Sequence, residues 1–89
     1  MADTIAGTVT NVVDGDTFDL RVYHQDPGNS RKYNDNERIR ITDIDAPELQ
    51  SSQGQRSKDA LERKIKGKTV VCYVQARDTF GRLVCEVRV

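Results

Sequence analysis

The sequence predicts a mainly β chain with a single helix, its five strands closed into a small barrel in the order β-β-β-α-β-β. Three observations carry this. Short runs rich in Val, Ile and Thr recur along the chain with alternating polarity, the signature of half-buried strands. Only residues 52–66 show helical rather than alternating spacing. The chain has 89 residues, enough for one core with little surplus, and a sheet closed on itself removes its own edges without a second layer.

The elements follow in order. Ile5–Val13 reads as a strand whose alternation breaks near Asn11–Val12, where a bulge is expected. Asp14-Gly15 is a turn dipeptide, and Thr17–Tyr23 resumes as the second strand. The polar segment His24–Asn36, with Pro27-Gly28 at its centre, reads as a long hairpin loop. Arg38-Ile39-Arg40-Ile41 alternates, so both arginines share one strand face. Asp43–Gln50 contains Pro47 and is expected as loop. From Ser52 to Lys66 a thin apolar stripe of Ala60, Leu61 and Ile65 makes a helix that covers one side of the core, with Gly67 ending it. Thr69–Gln75 turns Val70, Cys72 and Val74 to one face. After a tight turn through Asp78–Gly81, Leu83–Val89 alternates Cys85, Val87 and Val89 inward. This is the element order of an OB-fold barrel, expected as one domain over residues 1–89.

Composition excludes several classes. Lys and Arg number 14 and Asp and Glu 14, so the net charge is zero and a wholly basic nucleic-acid coat is ruled out. Mean hydropathy is −0.68, and no stretch reaches the ~18 apolar residues of a membrane span. The zero conceals a split. Residues 1–50 hold ten acids and five bases, net −5, while residues 51–89 hold nine bases and four acids, net +5. Such asymmetry is a reason to look for a site of mixed sign. The two cysteines, Cys72 and Cys85, have neither zinc-site spacing nor the density of a disulfide scaffold. Two small buried thiols and one cross-strand disulfide both remain open.

Three constellations can carry chemistry: Asp14-Gly15-Asp16-Thr17, Arg40 through Asp45-Ala46-Pro47-Glu48, and Asp78-Thr79-Phe80-Gly81-Arg82. Singly, each has a plain structural explanation as a turn or an exposed acidic loop. Together they assemble a kit. Hard divalent cations take carboxylate and carbonyl oxygens, which Asp16, Asp45 and the Ala46 carbonyl would supply. A phosphodiester transition state gains negative charge, which forked guanidiniums such as Arg40 and Arg82 stabilise. A further carboxylate, Glu48, can orient or deprotonate water. These are the parts of metal-assisted phosphodiester hydrolysis.

The motifs VVDGDTF, RIRITDIDAPE and DTFGR resemble those of the staphylococcal (micrococcal, thermonuclease-type) nuclease family, and the likeness runs from about Ile5 to Val89. Arg40 lies five residues before Asp45 and Glu48 three after it, as in the family pattern. The resemblance implies a Ca²⁺-dependent nuclease that cleaves DNA and RNA, single strands preferred, to 3′-phosphate ends. It implies Asp16, Asp45 and the Ala46 main-chain oxygen as calcium ligands, Asp14 as their supporting turn residue, Glu48 as general base, and Arg40 and Arg82 on the phosphate. Family members often carry Thr at the position of Ala46; the carbonyl survives that change and a hydroxyl is lost. Phe80 and Tyr33 either offer surface for base stacking or serve as ordinary packing and loop residues. Lys64, within the basic run Arg56, Lys58, Arg63, Lys64, Lys66 and Lys68, is placed to attract the nucleic-acid backbone.

Two departures stand out. The His24–Asn36 loop is long for the family, and the two helices that follow the fifth strand in its best-known member have no counterpart here. The domain is therefore expected to be shortened at its C-terminus, with association between copies through apolar surface near Val89. The alternatives to an active nuclease are an OB-type module that only binds nucleic acid or protein, and an inactive barrel that self-associates. The opening MADTIAGTVT lacks a signal-peptide pattern, which favours the cytoplasm, whereas the resemblance favours secretion or the periplasm.

Overall fold

A computed structural model describes residues 2–42 and 52–89. The strands are β1 (Asp3–Asp14), β2 (Thr17–Gln25), β3 (Asn36–Ile41), β4 (Thr69–Arg77) and β5 (Leu83–Arg88), with the helix α1 (Ser52–Ile65) between β3 and β4. They close into a barrel in the order β1-β2-β3-β5-β4, β1 pairing back onto β4. The β3–β5 pair is parallel and the others are antiparallel. The expected element order and the OB-type closure are therefore both present.

Alternation drives the inside–outside sorting. Ile5, Val9, Val12, Phe18, Leu20, Ile39, Val70, Cys72, Leu83 and Cys85 are buried in one cluster along the barrel axis. Each large apolar side chain there contributes about 1.5–3 kcal/mol through removal from water. The helix lays Leu61 and Ile65 on this cluster and buries Gly54, whereas Ala60 is exposed. The buried stripe thus runs along positions 54, 61 and 65, a repeat nearer the true helical period than the expected Ala60–Leu61 pairing. Gly67, at φ +77°, ends the helix, and its N–H donates to the Val9 carbonyl.

Three expectations need correction. Val89 is exposed rather than inward, because β3 ends at Ile41 opposite Cys85 and leaves the tip of β5 with β4 as its paired neighbour. Tyr33 is buried rather than available for stacking: its hydroxyl donates to Asp3 Oδ2 at 2.6 Å, and burial together with that carboxylate pushes its pKa up to about 12. The long loop is shorter than expected, since β2 runs to Gln25, and it is tied down. Asn29 pairs with both backbone groups of Thr4 through its amide, at 2.8 and 2.9 Å, and Gln25 does the same with Tyr33 at 3.0 and 2.8 Å. Two side-chain amides thereby act as strand residues and fasten the insertion to the barrel.

The expected break in β1 is there, as register shifts at Val9/Asn11 and Val12/Asp14, with a further one at Ala6/Gly7. At Gly7 the cause is close approach: a Cβ would lie 2.2 Å from the Arg21 carbonyl oxygen. Cys72 and Cys85 are fully buried free thiols on neighbouring strands. The hydrogen bond with Cys72 and burial push the Cys85 thiol far above its ordinary range, so it is protonated and unreactive at neutral pH.

One buried carboxylate at this end of the barrel is paired with an arginine that reaches it from the surface. Glu37 is 5% exposed and accepts from both terminal nitrogens of Arg77, at 3.1 and 3.0 Å, and from the Asn34 backbone and side-chain amides at 3.0 and 3.2 Å. Burial alone would raise its pKa, but these donors outweigh it and hold the carboxyl below its ordinary value of 4.5. A depressed folded-state pKa means stability that is present above the unfolded value and lost as pH falls through the folded one. Two outcomes are expected. The stability gap between wild type and Glu37→Gln in chemical denaturation should be full at neutral pH and narrow below about pH 4.5; a constant gap would contradict the assignment. Gly7→Ala should lower stability by about 1–3 kcal/mol in the same assay, from overpacking against the β2 backbone.

Candidate active site

The hairpin between β1 and β2 turns through Gly15 and Asp16 without either residue taking the left-handed conformation. The Asp-Gly chemistry of primed turns is therefore not what shapes it. Instead Asp14 Oδ1 accepts the Asp16 N–H at 3.1 Å, an Asx-type turn, and Asp16 Oδ1 accepts the Thr17 hydroxyl at 2.8 Å. The Asp16 carbonyl takes the Ile41 N–H at 2.8 Å, which fastens this turn to the end of β3.

Arg40 stands opposite Thr17 in the β2–β3 register, and its guanidinium comes to 3.9 Å from Asp16 Oδ2. Arg82 arrives from the β4–β5 turn. Its backbone N–H and Nε donate to the two oxygens of Asp78, at 2.9 and 2.7 Å, and its Nη1 lies 3.4 Å from the Thr17 hydroxyl. Gly81, at φ +83°, makes the reversal that a side chain would strain. Phe80 at the turn's tip is 84% exposed, with the Arg82 guanidinium 5.4 Å from its ring centre.

The barrel thus gathers Asp14, Asp16, Arg40, Arg82 and Phe80 from the β1–β2 turn, strand β3 and the β4–β5 turn. Asp14 and Asp16 share one electrostatic problem. Burial first, and then Asp14 as hydrogen-bond partner and like charge, raise the pKa of Asp16. Asp14 itself is lowered: burial would raise it, but hydrogen bonds from Asp16 and Thr17 and the charge of Arg82 prevail. A half-buried carboxylate pair of this kind concentrates hard oxygen donors where a divalent cation would relieve the repulsion. Among the described residues no three of His, Cys, Asp and Glu gather as a metal cage. Asp45, Ala46 and Glu48, the rest of the expected set, lie outside the described residues.

Lys64 is exposed on α1, with no hydrogen bond or ion pair to the gathered residues among those described. Of its neighbours in the basic run, Lys58 and Lys66 both approach Glu62, at 4.0 and 3.6 Å. Two contributors had no assigned role in the sequence reading. Asp78 orients Arg82, and its signal was present in principle: an Asp opening a turn that ends in Gly-Arg. Thr17 bridges Asp16 and Arg82, which only the register of the barrel discloses.

Comparison with known proteins bears on this arrangement. A family model described as "Staphylococcal nuclease homologue" matches residues 38–89. An "Uncharacterized endonuclease" of Escherichia coli O157:H7 is 37% identical over 83 residues, 93% of this chain and 48% of that protein. "Probable staphylococcal-like nuclease CAN3" of Oryza sativa subsp. japonica is 47% identical over 58 residues, 65% of this chain and 14% of that protein. "Protein ParB" of Escherichia coli is 32% identical over 78 residues, 88% of this chain and 38% of its own length. The chain spans about half the length of the Escherichia coli endonuclease it matches, and less of the others.

Replacing Asp78 by Ala removes the acceptor for both the Arg82 Nε–H and its backbone N–H. The Arg82 Nε–H signal should then exchange with solvent faster in NMR spectra, while the amides of Leu20 and Ile39 keep their protection. Unchanged exchange at Arg82 would show that something other than Asp78 holds it.

Proposed function

The chain belongs to the staphylococcal nuclease family, and on that premise we propose that it is a Ca²⁺-dependent nuclease cutting DNA and RNA, single strands preferred, to 3′-phosphate and 5′-hydroxyl ends. The observation that carries this is the meeting of Asp16, Arg40 and Arg82, drawn from two turns and a strand, at one end of the barrel. They stand in the order and spacing of the family's motifs.

The donor set suits a hard cation: Asp16, Asp45 and the Ala46 carbonyl offer only oxygen, and the described member of that set carries a raised pKa that a positive charge would relieve. When bound, Ca²⁺ would polarise the phosphate and neutralise part of its charge. The protein's own groups do the remainder. Glu48 accepts the proton of the water that attacks phosphorus, and the bond from phosphorus to the 5′ oxygen breaks as the new one forms. Arg40 has no carboxylate nearer than 3.9 Å among the described residues, which leaves its fork available to phosphate oxygens. Arg82 is aimed by Asp78, and its remaining N–H groups meet the charge that develops in the transition state. Asp14 orients Asp16 through the turn. Phe80 presents an open ring face on which an unpaired base can stack, which favours single strands. Lys64 adds long-range attraction to the backbone.

The test is cleavage of a single-stranded DNA by the purified chain with Ca²⁺ or with EDTA, beside Glu48→Gln and Arg82→Ala. Cutting is expected with Ca²⁺ alone. Loss of the base should lower kcat about 10²–10⁴-fold, and loss of the arginine about 10²–10³-fold. Binding of the DNA without cutting at any Ca²⁺ concentration would instead make the barrel a binding module.

A further inference from the structure

Resting on the reading above, in which Arg82 meets the phosphate, we propose that Arg77 and Glu37 are a positioning pair that sets the Arg82 turn. Arg77 is the last residue of β4 and pairs with Leu83, the first of β5, so residues 78–82 form the whole connection between them. The Arg77 guanidinium binds Glu37 with both terminal nitrogens, and Nη1 also donates to the Gly81 carbonyl at 2.8 Å. One planar fork therefore joins a buried carboxylate on β3 to the peptide group that leads into Arg82.

The geometry of that link is fixed at each end. Glu37 is locked by the two Arg77 nitrogens and by the two Asn34 amides, the latter reaching in from the connection between β2 and β3. A guanidinium is rigid and planar, so a carboxylate fixed on one side dictates where the Gly81 carbonyl lies on the other. Gly81 is also the residue of the turn with a positive φ, the natural pivot about which Arg82 could swing. Asp78 restrains Arg82 from within the turn, and Arg77 restrains the preceding peptide from below. The site itself is not touched: among the described residues Arg77 makes no hydrogen bond or ion pair with Asp14, Asp16 or Arg40. Glu37 is buried while Arg77 lies at the surface, so the fork carries the fixed position of a core carboxylate outward to the turn.

The decisive variant is Arg77→Lys, which keeps a positive charge beside Glu37 but lacks a fork that spans both the carboxylate and the Gly81 carbonyl. The chain should fold, and the Gly81 and Arg82 amides, which donate within the turn to Asp78, should exchange at least about tenfold faster while Leu20 and Ile39 are unchanged. In cleavage of single-stranded DNA with Ca²⁺, kcat should fall about 10–100-fold with KM altered less than about twofold. In an Arg82→Ala background the same substitution should cost nothing further, since its effect passes through Arg82. The neutral pair Glu37→Gln with Arg77→Gln leaves no buried charge and supplies the same readouts should the lysine variant not fold. Wild-type exchange at Gly81 and Arg82 would overturn the proposal even with cutting intact, as would a full additional loss in the Arg82→Ala background. Fast exchange in the variant beside a wild-type chain that does not cut would sink the nuclease reading and leave the anchoring of the turn established.

Discussion

The site depends on a short parallel pairing. Ile39, Arg40 and Ile41 of β3 lie against Leu83, Val84 and Cys85 of β5, and this contact joins the two edges of an otherwise antiparallel sheet into a closed barrel. Parallel neighbours cannot be linked by a hairpin, so the chain leaves β3, passes through α1 and β4, and returns. That detour puts Arg40 and Arg82, 42 residues apart in sequence, at one end of the same sheet. It also sets Thr17, opposite Arg40, within 3.4 Å of the Arg82 guanidinium. Were the β3–β5 register to slip by one residue, β5 would turn Leu83 and Cys85 outward and carry Arg82 away from Thr17. Fully buried Ile39, Leu83 and Cys85 are what forbid the slip.

Around this pairing, charge is arranged rather than merely balanced. The net charge of zero separates into an acidic first half and a basic second half, yet of the three pairs that matter here only Glu37 with Arg77 joins the halves. Asp16 faces Arg40, Asp78 faces Arg82, and Glu37 faces Arg77. These three pairs differ in purpose. The first is long and leaves both groups available to a cation and an anion. The second spans one turn and aims its arginine. In the third only the carboxylate is buried, and its tight hydrogen bonding compensates for the desolvation of Glu37. The exposed bases of α1 make no ion pair with any of these six residues among those described.

Much of this was legible in the chain. Alternation located every strand to within a few residues, because a closed barrel of this size has one face of each strand in the core and one in water. Tertiary pairing moved the ends: β1 and β2 extend further than their alternation, since Asp3 and Gln25 gain partners in Val74 and Ile5. The helical stripe was read one residue off at Ala60, where a small apolar side chain carries too little area to dictate its side. Tyr33 sat in a polar stretch that gave no sign of burial. Its place follows from Asp3, 30 residues away, taking its hydroxyl. The motif arginines and Asp16 were visible because their spacing is family-like, and Asp78 through its local turn, whereas Thr17 and Arg77 make contacts that no local pattern encodes.

By itself, then, the sequence determined the β-β-β-α-β-β order, most of the buried faces and the three motifs that mark the family. These rest on local spacing and on side-chain type, which survive without knowledge of neighbours. Tertiary structure alone decided which strands meet, which carboxylate each arginine faces, and that a long polar insertion is stitched to β1 through Asn29 and Asp3. Those are properties of register and of contacts between residues distant in the chain, fixed only when the barrel closes.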